Sequence, residues 1–441
     1  MTGNPSGQHR GRAGISWPFV ISVGVLGFAS GLPNVLVNDT LSAWLADIGV
    51  SPTSIGLLAL ATLPYGLKFL WAPLLDRYPA PVFGFLGLRR SWIALLSIFL
   101  VIAIMALAWM GPASSSSPVL PVGVIALTVA VFSATLDAAI DAHRTDGAAG
   151  GAEGAAASAF VMGYRIAFVS IGALILILVP RVAEWFGPAG DPHARDLAWR
   201  WLVAVGGGVM LIGVGAAWFA PSPPTRVAVQ SMEMAVIEPV RSFIRAFGSR
   251  IVVVLVVALL FRLPDLLGNR MTMSFLKQEI KFEIEDIGTV RQAVGFVVTI
   301  LGALVGGLCV QRFGLFRSLV VFGILQVASN AGYIVLASTG KSMPTFVSVI
   351  VAESLCNGLV SAAFVAYFME LCEPRFAAAQ YAILSGLMYL AGALVGAYSG
   401  RLVEEVGYEQ FFLISILVGI PPLLLLPWAM PKQTARHSRT E

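Results

Sequence analysis

Charge is scarce in this sequence. Asp, Glu, Lys and Arg make up 12% of its 441 residues, against about 25% in a soluble domain. That shortage excludes an ordinary globular enzyme and a disordered chain. Cysteine is nearly absent: Cys309, Cys356 and Cys372 have no C-x-x-C spacing and lie in or near apolar runs, so reduced, structural thiols are expected and a zinc site is not. Of four histidines, two sit in the terminal tails. No G-x-x-x-x-G-K-[ST] loop and no G-x-S-x-G elbow occurs, which argues against an ATP-driven pump and a serine hydrolase. The 25 prolines and 45 glycines are scattered, which removes collagen-like and low-complexity readings.

Apolar residues are abundant instead: 57% of the chain is hydrophobic and the mean hydropathy is +0.84. The length accommodates about a dozen membrane-spanning helices of about 20 residues each. Apolar windows place them at 17–37, 53–75, 91–111, 119–140, 158–180 and 199–220, then at 250–271, 287–310, 316–338, 343–369, 377–399 and 410–430. Each must be helical, because lipid offers no partner to an unpaired backbone group. The run from Trp17 is too long for a signal-peptide core and is expected to be a retained first span. The net charge of +4 is expected to come from basic cytoplasmic loops, not from a nucleic-acid surface. With the N-terminus inside, sixteen Lys and Arg fall on inner segments and six on outer loops, a bias that puts both termini in the cytoplasm.

The expected organisation is a cytoplasmic tail 1–16, a six-helix half 17–220, a linker 221–249, a second six-helix half 250–430 and a tail 431–441. An internal echo supports the two halves. The loop after span 2 carries Asp76 and Arg77, then Arg89 and Arg90; the loop after span 8 carries Gln311 and Arg312, then Arg317. This repeat resembles the loop motif of the major facilitator superfamily, an all-α fold of twelve membrane helices in two six-helix halves. On that reading Asp76, Arg77 and Arg312 are gating residues; the plainer reading is a positive-inside anchor.

A charge at mid-bilayer costs at least about 2.5–3.5 kcal/mol, so each one is a functional hypothesis. Asp137 and Asp141 in span 4 share a helical face at i, i+4. Two close carboxylates suit proton coupling; pairing with Arg144 or Arg165 is the plainer alternative. Arg165 in span 5 needs a carboxylate or an anionic ligand, with Asp137 or Asp141 the expected partner. Span 7 carries Arg262, Asp265, Asn269 and Arg270 around Pro264 and Gly268. That is a polar, bendable stretch suited to a cavity wall, with Arg270 free to snorkel outward. Glu353 and Asn357 in span 10, and Gln326 and Asn330 in span 9, either bind substrate or serve as interhelical glue. Lone aromatics such as Trp44, Trp71, Tyr65 and Tyr367 are read as packing. Asp137 and Asp141 would also suit a Mg²⁺-dependent membrane transferase, but such enzymes repeat their acidic motif and this pair is single.

Taken together the chain resembles the AmpG muropeptide permease family of the major facilitator superfamily. The matching stretches include Gly27–Pro33, Leu67–Tyr78, Asp141–Asp146, Gly163–Arg165, Gly302–Gly307, Gln311–Arg317, Phe322–Tyr333, Ala363–Tyr367 and Ala379–Ser385, in register with the spans from about residue 20 to 428. The resemblance implies proton-driven import of N-acetylglucosaminyl-1,6-anhydro-N-acetylmuramyl species, with or without stem peptide, across a bacterial inner membrane for cell-wall recycling. Related branches carry siderophores or acetyl-CoA. The chain departs from the family pattern at Arg262, Pro264, Asn269, Arg270 and Asn357. Arg262 and Arg270 favour, as the alternative, a siderophore or another small anionic metabolite, since a guanidinium fork matches a carboxylate. A non-transporting assembly factor of the same fold is the second alternative. No catalytic residue, metal, cofactor or nucleic acid is expected. The expected partners are a small-molecule substrate, protons and the lipid bilayer, with the chain a monomer.

Overall fold

A computed structural model describes residues 16–112, 119–147, 153–222, 237–373 and 375–430. The expected tails, apart from Ser16, and residues 223–236 of the expected linker lie outside the described residues, as does the side chain of Asp76. Among the described residues there is no strand.

Among the described residues, twelve helices are long enough to cross a bilayer, the last two running on from one another across a break. The first six are α1 (Trp17–Asp47), α2 (Pro52–Leu70), α3 (Leu88–Met110), α4 (Leu120–Gly147), α5 (Ala155–Ala183) and α6 (Pro192–Phe219). A run Glu238–Glu279 opens with the short amphipathic helix Glu238–Phe247 and continues as α7, residues 251–279. Then come α8 (Ile284–Phe313), α9 (Leu315–Thr339) and α10 (Met343–Leu371). A last run is broken at Gly407, whose φ of 79° no helix accommodates, into α11 (377–406) and α12 (408–429). Local sequence sets several starts. The Ser51 hydroxyl accepts from the Ser54 N–H ahead of Pro52, and the Asp191 carboxylate accepts from the His193 N–H ahead of Pro192. In both, a polar cap precedes a proline whose missing N–H costs nothing in the first turn.

The main difference from the sequence expectation is in α1. It continues ten residues past Val37, through a π-helical turn at Leu36–Thr40 that holds Asn38 and Asp39. Polar residues there end the apolar window without ending the helix. Similar π turns occur at Phe168–Ala173 in α5, Phe275–Glu279 in α7 and Gly288–Val294 in α8. In addition α7 breaks at Arg262, between Ile251–Leu260 and Leu263–Ser274.

Glycine lets helices approach closely, as expected where no hydrophobic effect drives association in lipid. In α1 against α5, a Cβ on Gly27 would lie 2.2 Å from the Phe160 carbonyl oxygen, and one on Gly163 1.9 Å from that of Gly24. In α8 against α10, Gly302 and Gly358 face Leu355 and Thr299 in the same way. The first and second six helices meet along α2 against α11 and α5 against α8. The α2–α11 seam runs from Gly400, packed on Pro52, to Gly66, packed on Gly386.

These contacts predict a graded response. Gly163→Ala should destabilise the protein by about 1–3 kcal/mol, because its methyl group meets rigid backbone. Gly123→Ala, which has nothing within 4 Å, should leave the melting temperature in detergent unchanged or slightly raised. Equal melting of the two variants would refute the packing argument.

Candidate functional site

A cavity of about 490 Å³ lies between the two sets of six helices, within the range of about 300–1,000 Å³ typical of small-ligand sites. Asn34, Asn38, Asp39 and Ser42 of α1 line one wall, with Thr62 and Tyr65 of α2 and Tyr164, Arg165 and Phe168 of α5. The facing wall is Arg262, Leu266, Asn269, Arg270 and Met273 of α7, Arg291 of α8, and Tyr389, Gly392 and Ala393 of α11. Three of the π turns border this space. A π turn shifts the register of side chains around the helix, and such turns recur at functional sites.

Four guanidinium groups face the cavity against one lining carboxylate. Arg291 lies 3.5 Å from Asp39 and donates to the Asn269 side-chain oxygen at 3.4 Å. Arg270 donates to the Asn38 side-chain oxygen at 3.2 Å. Arg262 donates to Ser361 at 2.8 Å and lies 3.6 Å from Asp265. Arg165 sits over the Phe296 ring, 5.3 Å from its centroid. Aromatic surface accompanies the charge: Tyr65 and Tyr389 face each other at 6.2 Å, and Tyr164 stacks on Phe168 at 5.3 Å.

Behind each wall is a polar cluster. In the first half the Ser30 hydroxyl donates to Asp137 at 2.5 Å, while Asp141 lies 3.9 Å from Lys68 and 3.1 Å from Arg144. In the second half Asp265 is 4% exposed, with Gln326 beside it. Among the described residues the carboxylate of Asp265, the Gln326 amide and the Asn330 nitrogen make no hydrogen bond of ordinary geometry. Glu353 accepts a long bond from Ser354 at 3.5 Å, and Asn357 one from Ser361 at 3.4 Å. Arg262 connects this cluster to the cavity.

The structure therefore brings Arg165, Arg262 and Asn269 to the cavity, and sets Asp137, Asp141, Asp265, Gln326, Asn330, Glu353 and Asn357 behind it. Two expectations are corrected. Arg165 does not pair with Asp137 or Asp141, because Ser30, Lys68 and Arg144 take those carboxylates and Arg165 faces α8. Arg270 does not snorkel outward; its partner Asn38 holds it against the cavity. Arg77 and Arg312 are exposed and lie over the neighbouring rings of Tyr78 and Phe313, without a salt bridge among the described residues. Sequence reasoning missed Asn34, Asn38, Asp39, Lys68, Arg291, Tyr164 and Tyr389. The spacing of Asn34, Asn38 and Asp39 at the end of an apolar run was the available signal; ending the first span at Val37 hid it.

The cavity is closed at the end that carries the α1–α2 turn. Asp47, its side chain 1% exposed, is gripped by the Arg195 fork at 2.6 and 2.9 Å, by the Trp199 indole N–H at 2.8 Å and by Lys277 at 3.1 Å. Gln278 donates to the carbonyls of Ala46 and Val50 at 3.1 and 2.8 Å. Glu404 accepts from Thr53 through both its backbone N–H and its hydroxyl, at 3.0 and 2.6 Å. Toward the opposite end, beyond Gly66 and Gly386, no hydrogen bond or ion pair joins the halves among the described residues.

Comparison with known proteins places this geometry. A family model of the Major Facilitator Superfamily matches residues 19–397. The chain is 35% identical over 416 residues to the anhydromuropeptide permease of Escherichia coli K12, across 94% of this chain and 80% of that protein. It is 29% identical over 409 residues to putative transporter AmpG 4 of Rickettsia conorii, across 92% and 95%. Among solved structures it superposes on the nucleoside transporter NupG with a TM-score of 0.70 at 13% identity, covering 93% of this chain and 98% of that one. A bacterial homologue of the human lysosomal transporter Spinster, inward-facing and unoccupied, gives 0.70 at 14%, covering 93% and 96%. At such identities the structures show a shared fold.

Removing the Asp47 carboxylate leaves Arg195 without its carboxylate and Lys277 with only Glu283, 3.7 Å away. Asp47→Asn should lower stability by about 2 kcal/mol or more and open the closed end. The labelling rate of an Asn38→Cys probe by an impermeant maleimide, applied from the α1–α2 side, should rise over the same probe with Asp47 intact. An unchanged rate would show that Asp47 does not hold this end shut.

Proposed function

The chain belongs to the major facilitator superfamily and, within it, to the AmpG family of anhydromuropeptide permeases, and on that premise we propose that it imports anhydro-muropeptides by proton-coupled alternating access. The observation that carries this reading is the polar, aromatic cavity between the two halves, sealed at one end by the Asp47 cluster. The excess of Lys and Arg on the α2–α3 side supports a cytoplasmic location for that side and for both termini in a bacterial inner membrane. With that orientation the described conformation is open to the cytoplasm. Import then requires the Asp47, Gln278 and Glu404 contacts to break while Asp76, Arg77 and Arg312 gate the cytoplasmic side. The chain is proposed to work as a monomer.

Amides and tyrosines suit the acetamido and hydroxyl groups of an amino sugar, and the guanidinium groups suit its carboxylates. Asp137, Asp141, Asp265 and Glu353 are the proposed proton carriers. Each carboxylate lies beside, not inside, the ligand space, in a cluster that reaches it through one wall. Gln326, Asn330 and Asn357 support that cluster. The excess of cationic over anionic groups in the cavity favours, as a second reading, a siderophore or another small organic anion. An assembly factor without transport has less support, since uncompensated polar groups such as Gln326 cost stability with no return.

Uptake by energised membrane vesicles tests the proposal. Anhydro-disaccharide should accumulate, and a protonophore should reduce accumulation to the level of vesicles lacking the protein. Accumulation that ignores the pH gradient would refute proton coupling. Asp137→Asn should abolish accumulation and leave counterflow exchange; loss of both would point to misfolding and refute a coupling role for Asp137.

A further inference from the structure

The four guanidinium groups of the cavity are not equivalent. Arg291 has Asp39 and Asn269, Arg270 has Asn38, and Arg262 has Asp265 and Ser361. Arg165 has the face of Phe296 and, among the described residues, no hydrogen-bond acceptor or carboxylate. A cation–π contact is worth about 0.5–2 kcal/mol and leaves five N–H donors without an acceptor. A guanidinium in a membrane-embedded site carries a desolvation cost that an acceptor must offset. Among the described residues no side chain supplies that acceptor, and the group lines the open space of the cavity.

We propose that Arg165 is the anion-docking group of the cavity, and that it takes a carboxylate of the transported sugar acid through a bidentate guanidinium–carboxylate pair. This deepens the transport reading above and rests on it. The other three arginines are held by the protein's own acceptors and shape the wall. The sequence alone favours Arg262 and Arg270 for this role; their partners in the folded chain reassign it. The position also has a mechanical consequence. Arg165 belongs to α5 and Phe296 to α8, so the subsite straddles the seam between the halves, and a carboxylate bound there contacts both walls.

Equilibrium binding to the purified full-length protein tests this with two probes: the peptide-free anhydro-disaccharide, which carries a free lactyl carboxylate, and its neutral methyl ester. The wild type should prefer the acid by about tenfold, the value of one strong charge-assisted pair. Arg165→Gln should bind acid and ester alike, near the wild-type affinity for the ester. An acid preference retained in Arg165→Gln overturns the proposal. So does a stably folded Arg165→Gln that binds neither probe, which would make the residue a support for cavity shape. If Arg165→Gln cannot be purified, Arg165→Lys decides: an ammonium offers no planar fork, so the preference must fall severalfold, and an undiminished preference overturns the assignment. A wild type that binds acid and ester equally refutes the anion subsite and leaves the muropeptide reading intact. A wild type that binds neither sugar refutes the muropeptide reading. Citrate against its trimethyl ester then tests the subsite on the same proteins, and the same loss in Arg165→Gln is required.

Discussion

A charge in a lipid-surrounded helix has to be compensated by another part of the protein, and this requirement organises the molecule. Apart from Arg165 and Glu353, the intramembrane charges so far placed find a partner of opposite charge or a hydrogen-bonding group on a different helix or one turn along their own. Asp141 takes Lys68 of α2 and Arg144 of α4; Asp39 of α1 takes Arg291 of α8; Asp47 of α1 takes Arg195 of α6 and Lys277 of α7. The pairs therefore do more than satisfy charge. Those that cross between halves fix how the halves sit, and they concentrate at one end of the cavity.

That distribution is what an alternating carrier needs. Contacts that hold one end shut must be strong enough to exclude solvent and few enough to break together. The Asp47 cluster, the Gln278 bonds and the Thr53–Glu404 pair form such a set. Glycine seams supply the complementary property. Along α2 and α11, backbone packs on backbone at Gly56, Gly66, Gly386 and Gly400, with few interlocking side chains to resist a change of angle. Within each set of six helices, the α1–α5 and α8–α10 contacts at Gly163 and Gly358 are equally close. The breaks in α7 at Arg262 and the π turns of α1, α5, α7 and α8 fall in the helices that line the cavity. There, departures from regular α-helix are tolerated only because the freed backbone groups face protein or a polar space.

The helical membrane fold and the family were legible in the sequence, because length, hydropathy and the paired loop motifs are one-dimensional signals and lipid permits only one backbone solution for an apolar run. The polar residues of α7 were legible for the same reason: Arg262, Asp265 and Asn269 interrupt an apolar stretch. What the sequence determined was which groups lie within the membrane. Which partner each one takes was decided by tertiary structure. Arg165 and Asp137 lie 28 positions apart in sequence on adjacent spans, and a pairing between them is the natural reading of that proximity. The packing of α1 against α5 through Gly27 and Gly163 instead gives Asp137 to Ser30 and turns Arg165 toward α8. Asp39 and Arg291 are 252 positions apart in sequence, and only the seam between the two sets of six helices makes them a pair. Charge compensation in a membrane is an interaction between helices, so its existence follows from composition and its geometry from how the helices pack.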